Sequence, residues 1–347
     1  MTSGFTPKER IMSALKREFA DRVPVTAALG AYGAKLLGYS MKDFYSDPVK
    51  QTKSIITAYE TFQPDTVPGV LAPNVSAEAI QCEMEFTEFG QPHVKRRSLE
   101  NKADFIKLNL PDPQKMEHLP AFLEVCGQLT SQIRDAPVGA TVEGPWTMGI
   151  SMRGAEELIY DAMDEPNFVH ELMRFNTEVV KIVIAAVRTT GVGITLADPA
   201  AGCSLISPSL YRQFVKPYHA EIIKHFKEKR TMVALHICGY IDPIMEDLVS
   251  IGVGSISLDG PSSLQKMVES GQKKVLIVGN VPTELFLEGT KGQIEEAVKN
   301  CLKIAAKESG YILCSGCEVP FNSPIENVHH YMAVGKEYGR TEAVKAL

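Results

Sequence analysis

Thr231-Met-Val-Ala-Leu-His-Ile-Cys-Gly239 is a short apolar run that closes on an imidazole, a thiol and a glycine, and Asp242-Pro243 follows almost at once. A run of this length bounded by Gly reads as a strand covered by other elements, and Asp-Pro is a helix-start signal, so 231–250 forms one strand-then-helix unit. The same unit recurs along the chain. Strand-like runs fall at 23–27, 66–71, 139–143, 193–198, 231–238, 255–259, 274–280 and 311–314. Amphipathic helical patterns lie between them at 48–61, 165–190, 208–229, 242–250, 292–308 and 325–338. Pro48, Pro208, Pro243 and Pro324 each stand where a helix would begin. Eight strands, most of them followed by a helical pattern, predict an α/β fold, a (β/α)8 TIM barrel, with a doubly wound sheet as the alternative.

One section breaks the rhythm. Within 74–107, Glu83-Met-Glu-Phe-Thr-Glu-Phe89 and the stretch from His93 read as a β-hairpin with Gly90 near its turn, an insertion at the barrel mouth in the N-terminal third. No repeat or low-complexity linker interrupts the rest, so residues 1–347 are expected to form a single domain.

The strand ends are polar. Glu143, Asp198, His236 with Cys238, Asp259 and Asn280 close successive strands, Tyr240 lies just past one, and Cys317 follows the last. In a barrel these positions face one cavity. Asp-Pro and Asp-Gly are also turn formers in their own right, which is the plainer reading of each acid taken alone.

His236 and Cys238 are two apart on a strand, so both project from the same face and can converge on one ion. A third ligand is available in Tyr311-Ile-Leu-Cys-Ser-Gly-Cys317. Cys314 continues the apolar run and points into packed structure, whereas Cys317 enters a loop and is the better candidate. One nitrogen and two sulfurs form a set that favours zinc, and three protein ligands leave a fourth position for water or substrate. The competing readings are a hydrogen-bonded core histidine with cysteines acting as small buried hydrophobes, and a Cys314–Cys317 redox couple.

Composition narrows the setting. The 347 residues are 44% hydrophobic with net charge −6, and mean hydropathy is −0.05. No stretch approaches the roughly 20 apolar residues of a membrane span, and the N-terminus lacks a signal pattern, so a cytoplasmic protein without membrane association is expected. Seven scattered cysteines argue against a disulfide framework and for a reducing compartment. Lys95-Arg-Arg97 and Lys227-Glu-Lys-Arg230 are the main basic clusters, too small to suggest a nucleic-acid partner.

Leu235-His-Ile-Cys-Gly239, Gly279-Asn280, Ser315-Gly-Cys317, Pro320 and Pro324-Ile-Glu-Asn327, together with Lys8-Glu-Arg10, Ala14-Leu15-Lys16 and Asp21-Arg-Val-Pro24 near the start, resemble the corrinoid-dependent methyltransferases of the uroporphyrinogen decarboxylase superfamily, typified by methylcobamide:coenzyme M methyltransferases. The likeness covers essentially the whole chain. It implies a (β/α)8 barrel with zinc at the mouth held by His236, Cys238 and Cys317, and an acidic residue, here Asp259, completing the sphere when no substrate is bound. Glu143, Asp198, Tyr240 and Asn280 are the candidates for positioning substrate.

It further implies methyl transfer between a corrinoid (cobalamin) and a small substrate, such as a zinc-activated thiol of the coenzyme M kind, in one-carbon metabolism. The chain has no Asp-x-His-x-x-Gly segment, so the corrinoid is expected on a separate carrier protein. Alternatives are demethylation of an O- or N-methyl donor onto the corrinoid, a metal-free decarboxylase-like lyase, and a noncatalytic corrinoid- or porphyrinoid-binding protein with structural zinc. The decarboxylase's N-terminal Arg-bearing segment has no counterpart here, where Ala28-Leu-Gly-Ala-Tyr-Gly-Ala34 contains no Arg.

Overall fold

The computed structural model describes residues 4–271, 274–307 and 309–346. Nine strands occur among them: β1 Val67–Leu71, β2 Glu83–Glu85, β3 His93–Arg96, β4 Val138–Glu143, β5 Gly193–Ala197, β6 Val233–Ile237, β7 Ser255–Leu258, β8 Leu276–Val281 and β9 Tyr311–Ser315. Seven form one parallel sheet in the order β1-β4-β5-β6-β7-β8-β9. β2 and β3 pair antiparallel as a separate two-stranded sheet.

The expected strand at 23–27 is not a regular strand, so seven strands stand where eight were read from the sequence. The segment touches β9 through isolated parallel bridges, Val25 to Leu313 and Ala28 to Glu318. Leu313 donates its N–H to the Pro24 carbonyl at 2.9 Å. Pro24 has no N–H to return, which interrupts the ladder. On its other side the segment reaches the approach to β1, where Asp65 donates its N–H to the Val25 carbonyl at 2.8 Å and the Thr26 and Thr66 hydroxyls lie 2.6 Å apart. The chain at 24–28 thus spans the two edges of the curled sheet.

The strands have two distinct faces. In β6, Val233, Leu235 and Ile237 are buried while Ala234 and His236 are half-buried, and β4 alternates in the same way, with Thr141 and Glu143 on the less covered face. The fully covered positions pack in the main core beneath the helices, with large side chains such as Trp146, Phe214 and Phe226 fully buried. The opposite face has a small apolar cluster of its own at the amino end, Leu276 and Ile312 against Ile11 and Ala14 of the first helix, Pro7–Lys16. Apolar contacts therefore cover the amino end of that face at β8 and β9, and polar side chains such as Glu143 and His236 stand toward the carboxyl end.

Helix starts follow local chemistry. Pro48 opens the helix Pro48–Phe62, and the Asp47 carboxylate accepts the N–H groups of Val49 and Lys50, satisfying donors that the first turn leaves free. Ser207 caps the helix opened by Pro208, which passes through a π turn at Tyr211–Val215 into Lys216–Glu228. No described helix is long and apolar enough to cross a membrane.

Candidate metal centre

His236 is the penultimate residue of β6, and Cys238 is the first residue beyond it. Their spacing brings His236 Nε2 to 3.2 Å from Cys238 Sγ. Cys317, two residues past β9, places its sulfur 3.8 Å from Cys238 Sγ and 3.9 Å from His236 Nε2. These three are the one group of potential metal-binding side chains found among the described residues. Around a tetrahedral ion with bonds of about 2.3 Å to sulfur and about 2.1 Å to nitrogen, donors would stand roughly 3.5–3.8 Å apart. The observed separations agree within a few tenths of an ångström, so the donor set and its geometry fit zinc. The sulfurs are far beyond the roughly 2.05 Å of a disulfide, and the cysteines are free.

Neighbouring groups aim these ligands. His236 Nδ1 lies 3.1 Å from Ser257 Oγ and 3.3 Å from the Ser257 carbonyl; donating its Nδ1 proton there leaves the Nε2 lone pair facing the sulfurs. Gly239, at φ +74°, makes the turn after Cys238 in a conformation that favours glycine. Its N–H then meets the Asp259 carboxylate at 2.6 Å.

The sulfurs are electrostatically unlike. The Cys317 thiol is held below its usual range by its hydrogen bond to Cys238, outweighing burial, with the His236 ring helping. Cys238 is pushed up, first by that same bond to Cys317 and then by burial. Burial alone would lower His236, but the Cys317 contact and the Asp259 charge raise it overall. Cys314 lies outside the group, its thiol pushed up to about 12 by burial, which makes it a poor redox partner for Cys317.

The other candidates are placed differently from one another. Asp259 is not in the ligand group: its two carboxylate oxygens accept the N–H groups of Gly239 and Gly260. Glu143 stands level with His236, through the register Glu143 to Ala197 to His236, two strands away or roughly 9–10 Å at ordinary strand spacing. Its carboxyl is pushed up to about 8, by burial first and then by the Asp198 charge. Asp198 is fully buried and committed to the structure. It accepts from Trp146 N, Thr147 N and Thr147 Oγ1 and lies 2.9 Å from His219 Nε2. Tyr240 is 39% exposed on the loop after β6. Asn280 turns away from the cluster, donating to the Asp259 and Ser262 carbonyls and accepting from Cys301 Sγ.

Sequence reasoning passed over Ser257 and Glu318. Ser257 pairs directly with His236 across β6 and β7, and the alternation of Ser255-Ile-Ser-Leu258 carries the signal. Glu318, next to Cys317, has its carboxyl pushed up to about 7, by burial first and then by the Cys317 charge. It accepts from Ala31 N at 3.5 Å and Gln91 Nε2 at 3.4 Å. The buried contact of His219 Nδ1 with Tyr211 Oη at 3.3 Å left no sequence signal.

A curled parallel sheet carrying its candidate site at the carboxyl ends of its strands defines an α/β enzyme-like architecture. The profile of the Uroporphyrinogen decarboxylase (URO-D) family matches residues 6–338, and the chain belongs to that family. It is 25% identical over 348 residues to a methylcobamide:CoM methyltransferase of Methanosarcina barkeri, covering 97% of this chain and 99% of the relative. A uroporphyrinogen decarboxylase of Prochlorococcus marinus is 26% identical over 235 residues, 65% of each chain. Among solved structures, a methyltransferase from Methanosarcina mazei superposes with a TM-score of 0.84 at 26% identity, covering 96% of this chain and 99% of that one.

Proposed function

We propose that the protein is a zinc-dependent methyltransferase that moves a methyl group between a corrinoid, held by a separate carrier protein, and a small thiol. The observation that carries this reading is the convergence of His236 Nε2, Cys238 Sγ and Cys317 Sγ within 3.2–3.9 Å. Full-length similarity to corrinoid-using methyltransferases supports the kind of reaction. In this reading the chain works as one (β/α)8-type domain, with β2 and β3 inserted beside the mouth. The contact of Gln91 with Glu318 supports that placement.

His236, Cys238 and Cys317 would hold the metal. Zinc, when bound, would keep an incoming thiol deprotonated at neutral pH, with two cysteine sulfurs limiting the positive charge on the ion and so preserving the substrate sulfur's nucleophilicity. Ser257 fixes the His236 tautomer, and Asp259 pins the loop behind Cys238. The substrate sulfur gives up its proton to solvent and attacks the methyl carbon. The new C–S bond forms as the Co–C bond breaks, and that bond's electron pair stays with cobalt. Running in reverse, the same arrangement would demethylate a donor. The lyase alternative lacks the cations that a polyacid substrate requires: the 28–31 stretch presents backbone N–H groups to Ser315 Oγ and the Glu318 carboxylate.

The test is elemental analysis of the purified protein, followed by incubation with methylcobalamin and thiols while watching for the spectrum of demethylated cobalamin. Wild-type protein should carry one zinc per chain. Cys317→Ala should lose both zinc and transfer while keeping its circular dichroism spectrum. A Cys317→Ala protein retaining stoichiometric zinc would refute the ligand set.

A further inference from the structure

Resting on the methyltransferase reading, we propose that Glu143 determines specificity at this site by hydrogen-bonding the far end of the small reactant, a thiol that carries a hydroxyl or amide opposite its sulfur. The argument is where the fold holds this side chain and what it leaves unbonded.

Glu143 closes β4 on the less covered face of the sheet, the face that Thr141 shares. Through the register Glu143 to Ala197 to His236 it stands level with the imidazole, two strands away. Residues at one level of a parallel sheet point to one face, and a sheet curled about that face brings their side-chain ends closer than the roughly 9–10 Å between strands. A thiol with its sulfur about 2.3 Å from a zinc ion and a few carbons at about 1.5 Å each spans that gap.

The chain behind Glu143 is clamped. Gly144 donates its N–H to the Ala197 carbonyl at 2.6 Å. Asp198 presses on Gly144 so closely that a Cβ there would lie 2.5 Å from the carboxylate, which leaves room for glycine alone. The same carboxylate accepts from Trp146 N at 3.2 Å and Thr147 N at 2.7 Å and lies 2.9 Å from His219 Nε2, so it fixes the first turn of the helix Pro145–Arg153. The Asp198 N–H donates to the His236 carbonyl at 2.9 Å. One buried residue thus ties the backbone next to Glu143 to the backbone of a candidate ligand.

The neighbouring carboxyls are already bonded. Asp198 is used as described, Asp259 accepts from Gly239 N and Gly260 N at 2.6 and 2.7 Å, and Glu318 accepts from Ala31 N and Gln91 Nε2. The Glu143 carboxyl makes no hydrogen bond among the described residues. A half-buried polar group that the protein holds in place without bonding it is a group left for a ligand. Burial, and then the Asp198 charge, pushes this carboxyl up to about 8. At neutral pH it therefore offers one O–H donor beside one carbonyl acceptor, the complement of a hydroxyl or an amide.

The experiment titrates zinc-loaded protein by calorimetry with pairs of thiols in which methyl replaces a terminal hydroxyl: 2-mercaptoethanol against 1-propanethiol, 3-mercapto-1-propanol against 1-butanethiol, and 4-mercapto-1-butanol against 1-pentanethiol. After correction for each thiol's own ionisation, the hydroxyl member of at least one pair should bind about tenfold more tightly. In Glu143→Leu, or in Glu143→Ala should the leucine variant not fold, that preference should vanish with zinc content unchanged. Glu143→Gln, which keeps a donor and an acceptor, should retain it. Equal binding within every pair by the wild type, or a preference that survives loss of the carboxyl, overturns the proposal and leaves the zinc methyltransferase reading intact. Wild-type protein that takes up no zinc brings down that reading and this inference together.

Discussion

Glu143 shows how much one side chain's surroundings decide. An ordinary glutamate would be ionised at neutral pH, but here the carboxyl is pushed up to about 8 by burial and by Asp198. The folded protein therefore holds a proton that the unfolded chain has released, and stability falls as pH rises from the ordinary value of 4.5 toward 8. The slope is at most about 1.4 kcal/mol per pH unit, less in proportion to the water reaching a half-buried carboxyl. Urea unfolding of wild type and Glu143→Gln at pH 5, 6, 7 and 8 should show the wild type losing stability relative to the variant across that range; parallel curves would contradict the assignment. At this scale the sequence was informative where contacts are local. His236 and Cys238 share a strand face by spacing alone. That Asp198 would be consumed by His219 and Thr147 was not legible, because those contacts join segments 21 and 51 residues away.

Elements are set by patterns that span a few residues, and most were readable for that reason. The alternation in Val138–Glu143 and Val233–Ile237 matches their burial, and the Asp47-Pro48 signal opens a helix as it should. Removing the Asp47 cap by Asp47→Ala should cost about 1 kcal/mol, measurable as a lower urea midpoint with unchanged slope. An unaltered midpoint would mean that water satisfies those N–H groups equally well. Two elements misled the pattern. Pro24 breaks the ladder that 23–27 would otherwise have formed, and Gly279 at φ +133° disturbs the alternation that would have aimed Asn280 inward. Both depend on backbone conformation, which apolar periodicity does not report.

At the scale of the molecule, the meeting of the sheet's two edges depends on Asp65. Its buried carboxylate receives Arg22 and Arg10 and the N–H of Val25, joining the chain before β1 to the segment that bridges β9. Asp65→Ala would strand the Arg22 charge, 13% exposed, and should destabilise the protein by about 3–5 kcal/mol. Thermal unfolding of that variant should begin well below the wild type, and a loss under about 1 kcal/mol would show that water replaces the carboxylate without penalty. The separation of polar and apolar ends of the inner face was less visible in the sequence, because Ile11 and Ala14 lie more than 260 positions from the strands they touch.

That contact has a kinetic corollary. Ile11 and Ala14 of the first helix cover the amino end of the inner face at β8 and β9, so the approach to the candidate site lies at the carboxyl ends of the strands. In the proposed methyl transfer, a thiol would be seated before a large carrier covers the opening, and its methylated product would wait for the carrier to leave. Turnover should then follow a compulsory order, small reactant first in and last out.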